Sequence, residues 1–301
     1  MKIAALQMVS GPDRDENLAH AEALIQQAAA AGAQLVALPE YFCLMGQSDR
    51  DKLAIAEPGV ALGQTVAATD TQRPMQAMLS RAARKHELWV IGGTLPLQLA
   101  GADPAAPVQR VRNACTVWAP DGTLAARYDK IHLFSFDNGR ERYDEARVLE
   151  AGDTPVAFDA LLPAVLATSA DAISAAGAVP LRVGLSICYD LRFPELFRAL
   201  MARPCDLIAV PAAFTHTTGL AHWELLLRAR AVENQCFVIA PAQGGLHPNG
   251  RRTWGHSLVI DPWGEVLAVQ AEGEGVVLAD IDLQRLADVR RQLPALGHRR
   301  I

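Results

Sequence analysis

Residues 33–42 read AQLVALPEYF, and residues 205–214 read CDLIAVPAAF. In each stretch a short apolar run is ended by a proline. The residue after the proline differs, because it is Glu40 in the first stretch and Ala212 in the second. Near-continuous apolar runs are typical of strands in sheets that helices cover. The repeat therefore predicts two similar halves, of which only the first carries a carboxylate at this point.

Strand and helix patterns alternate around both stretches, and each half closes with a hairpin. Residues 158–180 fit no element, and we interpret them as an insertion near the surface; residues 100–112 are predicted to form a loop. The patterns predict strands at 2–8, 34–40, 88–97, 181–190, 205–214, 236–243 and 273–282, helices at 16–32, 74–87, 194–204 and 222–235, and hairpins at 112–130 and 256–270. A layered α/β protein is the resulting prediction.

Composition excludes several classes of protein. The 301 residues carry 28 Lys+Arg against 33 Asp+Glu, a net charge of −5, and the first basic run is GHRRI at 297–301. This balance argues against a nucleic-acid partner. No apolar run reaches the ~18 residues of a membrane span, and the N-terminal pattern is not that of a signal peptide. Five cysteines without a CxxC motif favour a reduced, cytoplasmic protein without membrane association.

Three strand ends carry reactive groups. Glu40 follows the strand at 34–40, Lys130 closes the hairpin at 112–130, and Cys188 follows the apolar run VGLSI. Loops beyond strand ends are where α/β proteins usually build sites. A carboxylate can remove the proton of a thiol, and an ammonium can stabilise the oxyanion that forms when the thiolate attacks a carbonyl or nitrile carbon.

Structural alternatives remain open at this point. Glu40 can equally cap a helix, and Lys130 can lie on a solvated strand end. A free cysteine is usually a packing residue. Pro194 opens a helix shortly after Cys188, and we expect this helix N-terminus to favour the Cys188 thiolate. The remaining cysteines are interpreted as packing residues: Cys43, Cys115, Cys205 and Cys236.

Three motifs resemble those of the nitrilase, or carbon–nitrogen hydrolase, superfamily, whose catalytic triad is Glu–Lys–Cys. They are LPEYF (38–42), YDKIHLF (128–134) and GLSICYDLRFPELFR (184–198). The resemblance runs over nearly the whole chain. It implies a four-layer α-β-β-α sandwich of two pseudo-symmetric halves, which we expect to form one domain over residues 1–301.

The resemblance also implies the roles of individual residues. Glu40 is expected to accept the proton of Cys188, and Lys130 and the backbone N–H of Tyr189 to hold the oxyanion. A second glutamate of the family falls in RYDEA, at Glu145, with Glu141 as the alternative. Family members need no metal or organic cofactor. They commonly pair through helices on one outer face, which implies a homodimer or a larger homo-oligomer.

Substrate-binding residues are expected beyond the triad. FTHTTGLAHWE (214–224) resembles a segment that lines the substrate pocket of related amidases, which suggests Thr217, Thr218 and His222. His222 and Trp223 can instead simply pack the helix. Arg192 can bind a substrate carboxylate in a bidentate way, or it can pair with Glu195 or Asp190. The eight histidines form no HExxH motif, so no metal site is predicted.

The substrate is suggested by a branch within the superfamily. Residues 222–243, 253–268 and 289–300 resemble the branch that includes deaminated glutathione amidases. This implies hydrolysis of an amide to 2-oxoglutarate and cysteinylglycine. The alternatives are an ω-amidase that acts on 2-oxoglutaramate, another amidase, a carbamoyl amidase or a nitrilase. A non-catalytic binding protein on the same fold is a remote alternative, since Glu40, Lys130 and Cys188 are all present.

Overall fold

A computed structural model describes residues 1–101, 107–139, 142–163 and 178–300. The strands of these residues are β1 (Lys2–Gln7), β2 (Leu35–Ala37), β3 (Trp89–Ile91), β4 (Leu95–Gln98), β5 (Val111–Trp118), β6 (Leu124–Asp129), β7 (Ser135–Asp137), β8 (Arg142–Asp144), β9 (Ala157–Pro163), β10 (Ala178–Leu185), β11 (Leu207–Ala209), β12 (Phe237–Ala240), β13 (Gly244–Leu246), β14 (Arg252–Trp254), β15 (Ser257–Ile260), β16 (Val266–Gln270) and β17 (Gly275–Asp280). The helices are α1 (Arg14–Ala30), α2 (Asp51–Ala54), α3 (Pro74–His86), α4 (Pro194–Leu200), α5 (His216–Asn234) and α6 (Leu283–Gln292). Short 3₁₀ segments lie at Glu145–Arg147, Cys188–Arg192 and Ala295–His298.

Two mixed sheets repeat one topology. In the part of the chain that the structure describes, the first sheet has the order β17-β1-β2-β3-β5-β4, with β6 paired to β5, and the second has the order β16-β15-β12-β11-β10-β9. Strands β1, β2 and β3 run parallel, as do β10, β11 and β12. Helices α1, α2 and α3 connect the parallel strands of the first half, α4 and α5 connect those of the second, and an antiparallel pair, β5–β6 or β15–β16, follows. The predicted pseudo-symmetric halves are confirmed.

The sheets pack face to face between outer helices. Side chains alternate across a strand, and along β1 Ile3 and Ala5 pack in one core with residues of the second sheet. Ala4 and Leu6 point the other way and pack with residues of α1 and α3. The indole N–H of Trp89 donates to the backbone oxygen of Leu161 in the second sheet at 3.2 Å. The predicted four-layer α-β-β-α sandwich is therefore confirmed.

Several predicted elements have different bounds. The predicted strand at 88–97 is broken into β3 and β4, and the one at 181–190 ends at Leu185. The helix predicted from residue 222 begins at His216, because the hydroxyl of Thr215 accepts from the N–H of Thr218 and caps it. Residues 244–254 form the hairpin of β13 and β14.

The interpretation of residues 158–180 as a surface insertion is wrong at both ends. Strands β9 and β10 pair antiparallel there and extend the second sheet. Side chains of β9 alternate between buried and exposed, which is the pattern of an edge strand with one covered face.

Residues 164–177 and 102–106 lie outside the described residues. Within those that are described, none of the helices combines the length and apolar character needed to cross a membrane.

The break between β3 and β4 positions the end of β2. Gly93 has a φ of +54°, and a Cβ built there would lie 2.2 Å from the backbone oxygen of Pro39. The hydroxyl of the next residue, Thr94, accepts from the N–H of Tyr41 at 2.9 Å. Gly93 thus allows the segment after β3 to lie against the segment after β2, which it contacts at Pro39 and Tyr41, the residues before and after Glu40.

We predict that Gly93→Ala destabilises the protein more than Gly63→Ala. Both glycines have positive φ, but a Cβ at Gly63 would meet no atom within 4 Å. Gly63→Ala therefore isolates the backbone strain, about 1 kcal/mol, whereas Gly93→Ala adds a steric conflict of about 1–3 kcal/mol. Denaturant unfolding of both variants measures the difference. Equal losses of unfolding free energy would show that Gly93 is not needed for this close approach.

Candidate active site

Side chains from the three motifs meet in one buried cluster. Glu40 follows β2 of the first sheet, Lys130 follows β6, and Cys188 follows β10 of the second sheet. The three are between 1% and 8% exposed. The cluster also contains Glu145, at the start of the 3₁₀ segment after β8. The sandwich thus brings together reactive groups that are far apart in the sequence.

Lys130 lies at the centre of this cluster. Its Nζ is 2.9 Å from Oε1 of Glu40 and 3.0 and 2.8 Å from the two carboxylate oxygens of Glu145. Burial acts to lower the pKa of Lys130, but the charges of Glu145 and Glu40 outweigh it and hold that pKa well above its ordinary value. Lys130 is therefore an ammonium shared between two carboxylates.

The Glu40 carboxylate is held by donors from three parts of the chain. Besides Lys130, the amide of Asn113 donates to Oε1 at 2.9 Å, and the backbone N–H of Ala213 donates to Oε2 at 3.1 Å. Burial raises the pKa of Glu40, while Lys130 and a hydrogen bond with Cys188 act to lower it. A carboxylate that is more basic than usual suits a general base.

Cys188 occupies an unusual backbone position. Its φ is +48°, in the left-handed region that non-glycine residues rarely adopt, and its N–H donates to the backbone oxygen of Pro211 at 2.9 Å. Burial and the neighbouring Glu40 charge raise the pKa of the Cys188 thiol well above its ordinary value, although Lys130 acts to lower it. Burial and the Glu40 charge thus act against the thiolate that the following helix was expected to favour. Cys188 is a thiol that needs a base.

Glu145 is the second carboxylate of the cluster. Tyr41 donates its phenolic O–H to Oε1 at 2.6 Å, and the N–H of Phe134 donates to Oε2 at 2.7 Å. Burial acts to raise the pKa of Glu145, but Lys130 and Lys52 outweigh it and hold that pKa below its ordinary value. The alternative, residue 141, lies outside the described residues.

Asp190 joins the cysteine motif to the lysine motif. Its fully buried carboxylate accepts from the N–H of Ile187 at 2.9 Å and from the O–H of Tyr128 at 2.7 Å. The backbone N–H of His132 also donates to it at 3.0 Å, and the ring nitrogen Nδ1 lies 2.7 Å away. Asp190 therefore fixes the turn on which Cys188 stands against the segment that carries Lys130.

The cluster opens into two pockets, which we call the wide arm and the narrow arm. The wide arm encloses about 570 Å³, part of it open to solvent, and Tyr41, Lys52, Glu145 and Arg251 lie along it. The narrow arm spans about 230 Å³, also partly open to solvent. Because Cys188 lines both arms, it stands at their junction. The narrow arm is formed mainly by Phe134, Tyr189, Arg192, Phe214, Thr215 and Thr218.

The predicted substrate-binding residues divide into two groups. Tyr189, Arg192 and Thr218 line the narrow arm. Thr217 is exposed on α5, and His222 is exposed 3.3 Å from a guanidinium nitrogen of Arg192. In the described residues, neither of these two belongs to the lining of an arm. Arg192 contacts His222 and the rings of Tyr189 and Phe214. The carboxylate of Asp190, which the sequence offered as a partner of Arg192, instead accepts hydrogen bonds from the donors named above.

Sequence reasoning missed other residues of the site. Tyr41 directly follows Glu40, and this adjacency was a usable signal. Asn113 lies on β5 opposite the strand that leads to Lys130, but only the fold shows which face it occupies. Arg251 comes from the β13–β14 hairpin, which no local pattern connects to the triad. Among the described residues, no group of three or more His, Cys, Asp or Glu side chains could hold a metal ion.

Comparisons with known proteins agree with this geometry. The carbon–nitrogen hydrolase family model matches residues 2–291. A deaminated glutathione amidase of Synechocystis sp. is 40% identical over 298 residues, which cover 98% of this chain and 97% of that protein. Omega-amidase NIT2 of Homo sapiens is 36% identical over 301 residues, which cover 99% and 95%. The crystal structure of the C. elegans NitFhit protein matches with a TM-score of 0.78 and 36% identity, over 99% of this chain but only 65% of that longer one.

We predict that Glu40→Gln lowers the pKa of the Cys188 thiol. Glu40 raises that pKa through its charge and its hydrogen bond, whereas Lys130 lowers it. Removing the negative charge leaves the ammonium effect opposed by burial alone, so the thiolate forms at lower pH. The pH dependence of the iodoacetamide reaction rate measures the shift. Because Cys188 lines both arms while Cys43 and Cys115 are almost fully buried, peptide mapping should place the label on Cys188 first. An unchanged or raised pKa would contradict the electrostatic account.

Proposed function

The chain belongs to the carbon–nitrogen hydrolase family and is an amidase, and from this premise we propose that Glu40, Lys130 and Cys188 are its catalytic triad. The observation that carries the proposal is the fully buried Lys130, whose Nζ lies within 3.0 Å of both Glu40 and Glu145. Burying a charged group costs free energy, and pairing it with an opposite charge often only offsets that cost. A buried Lys–Glu cluster is therefore not explained by stability alone. Perturbed charges beside a nucleophile at a pocket junction favour a catalytic role.

The first half-reaction acylates the thiol. Glu40 accepts the Sγ proton of Cys188 as the sulfur attacks the amide carbon, and the carbonyl oxygen becomes an oxyanion. The Lys130 ammonium and the backbone N–H of Tyr189 stabilise this oxyanion. The C–N bond then breaks, Glu40 returns the proton to the departing nitrogen, and a thioester on Cys188 remains.

The second half-reaction hydrolyses the thioester. Water enters from the wide arm, where both Glu40 and Glu145 face the junction. One of these carboxylates accepts a proton from the water, whose oxygen attacks the thioester carbon. Collapse of the second tetrahedral intermediate releases the acid and returns the proton to Cys188. No step requires a metal or an organic cofactor.

The proposed substrate is deaminated glutathione, a 2-oxoglutaryl group in amide linkage to cysteinylglycine. The 40% identity to a deaminated glutathione amidase over almost both full lengths supports it. In the narrow arm, Arg192 offers its guanidinium to the carboxylate of the 2-oxo acid, and Tyr189 and Thr218 line the same space. Thr217 and His222 are proposed as residues of the arm's outer rim. The products are 2-oxoglutarate and cysteinylglycine.

Omega-amidase activity on 2-oxoglutaramate is the second candidate. It is favoured by the 36% identity to omega-amidase NIT2. Its substrate has the same 2-oxo acid head, so the narrow arm suits both compounds. The two substrates differ in the leaving group, which is ammonia in one case and a dipeptide in the other.

We further propose that residues 1–301 form a single domain that assembles as a homodimer or a higher homo-oligomer in the cytoplasm. Exposed apolar side chains on α5 and β16 support the assembly. Leu220 and Leu225 are 66% and 68% exposed, and Val269 is 54% exposed. Leu220, Leu225 and Val269 line one surface depression. An apolar patch of this kind is a candidate interface.

We predict that Cys188→Ala abolishes amide hydrolysis and that Lys130→Met lowers kcat by about 100-fold or more, since one oxyanion donor is lost. Cys236→Ala is the matched control, because Cys236 is a fully buried cysteine that lines neither arm. Circular dichroism checks that each variant is folded. Turnover by folded Cys188→Ala would remove Cys188 as the nucleophile.

We predict a higher kcat/KM for deaminated glutathione than for 2-oxoglutaramate. Steady-state kinetics of the wild-type chain on both compounds, with Cys188→Ala as the blank, provides the measurement. A preference for 2-oxoglutaramate would assign the chain to the omega-amidases. Hydrolysis of neither compound would overturn the substrate assignment while leaving the amidase chemistry to be tested on other amides.

A further inference from the structure

Cationic groups line both arms of the pocket. Arg192 lies in the narrow arm, and Arg251 lies in the wide arm. Cys188 stands between them. A ligand with one negative group would need only one of these cations, whereas a ligand with a carboxylate at each end and an amide between would use both.

Arg251 is held in place by an ionised partner. Its Nη2 donates to Oδ1 of Asp49 at 3.2 Å, and the same oxygen lies 3.4 Å from Nζ of Lys52. Burial acts to raise the pKa of Asp49, but Lys52 and Arg251 outweigh it and hold that pKa below its ordinary value. The Arg251 side chain is 31% exposed, and in the described residues Asp49 is its one ion-pair partner. A guanidinium has five N–H donors, so most of them are available to a ligand.

The other two cations of the wide arm are engaged differently. Lys52 is 5% exposed, with its ammonium 4.0 Å from the ring centre of Tyr41, and its charge lowers the pKa of Glu145. It therefore belongs with the catalytic carboxylates. Arg252 donates to Glu272 at 2.9 Å, and its side chain is half exposed. Arg251 is the cation best placed to meet a ligand in this arm.

Reaction chemistry decides which half of the substrate enters the wide arm. The departing nitrogen must take a proton from Glu40, and the incoming water must give one to Glu40 or Glu145. Both carboxylates line the wide arm and neither lines the narrow arm. With the amide carbon at Cys188, the leaving group therefore lies in the wide arm and the acyl group in the narrow arm.

We propose that Arg251 binds the carboxylate of the leaving group's terminal glycine. In deaminated glutathione this carboxylate follows the amide nitrogen by two residues, a reach of about 7 Å when extended. A planar guanidinium can bind it through two parallel hydrogen bonds. The inference rests on the proposed function. It makes Arg251 the residue that distinguishes a dipeptide leaving group from the ammonia of 2-oxoglutaramate.

The test pairs a change in the protein with a change in the substrate. We compare deaminated glutathione, its C-terminal glycinamide analogue and 2-oxoglutaramate on wild type and on Arg251→Gln. The expected wild-type preference for the acid over the amide analogue is about tenfold in kcat/KM, as for one charge-assisted pair at a partly exposed site. Arg251→Gln should remove this preference, mainly through KM, and should lower kcat/KM for deaminated glutathione about tenfold more than for 2-oxoglutaramate, which has no carboxylate in its leaving group. Arg251→Lys, which keeps the charge, should restore part of the preference.

Arg110→Gln is the charge-matched control, since Arg110 is an exposed partner of Glu150 and lines neither arm. Equal wild-type rates on the acid and the amide analogue would overturn the inference without any variant. Equal losses on all three substrates in Arg251→Gln would overturn it as well, because they would indicate a structural role. If Arg252→Gln removes the preference for the acid and Arg251→Gln does not, the carboxylate contact belongs to Arg252 and the inference is wrong. If wild type hydrolyses 2-oxoglutaramate but not deaminated glutathione, the proposed substrate and the inference both fall.

Discussion

The site depends on the position of one buried ammonium between two carboxylates. Lys130 contacts Glu40 and Glu145 with its Nζ and is removed from solvent. Three charges in an apolar interior are tolerated only when they are paired and hydrogen-bonded. Asn113, Tyr41 and the backbone of Ala213 and Phe134 supply the additional donors. In the proposed mechanism, this network keeps Glu40 available as a base and keeps a positive charge where the oxyanion forms.

The two-sheet sandwich explains why this network can be assembled. Strands β2 and β11 are equivalent members of the two halves, yet only β2 is followed by a carboxylate. At the equivalent position after β11 the chain presents Ala212, and the next residue, Ala213, donates its backbone N–H to Glu40. The symmetric fold thus builds an asymmetric site, because one half contributes the charged groups and the other contributes Cys188 and a backbone donor.

Much of this arrangement was predictable from the sequence. Apolar runs and alternating strand and helix patterns predicted the order of elements, and the three motifs predicted which residues form the cluster. The break at Gly93 was missed although Gly92-Gly93 is a turn signal within residues 88–97, because the approach of Pro39 that requires it is a long-range constraint. The raised pKa of the Cys188 thiol could not be predicted from the sequence, because burial and the Glu40 charge come from the fold, whereas the helix N-terminus is a local signal. Arg251 was missed for the same reason, since its hairpin meets Asp49 only in three dimensions.

The central claim is that the resting site holds a Lys130 ammonium between two carboxylates and a neutral Cys188 thiol directed at Glu40. Neutron diffraction from crystals of the wild-type protein at neutral pH observes these protons directly. The account predicts three deuterons on Nζ of Lys130, directed toward Glu40 and Glu145, and one deuteron on Sγ of Cys188. A bare Cys188 sulfur with the proton on Glu40, or a Lys130 nitrogen with two deuterons, would contradict it.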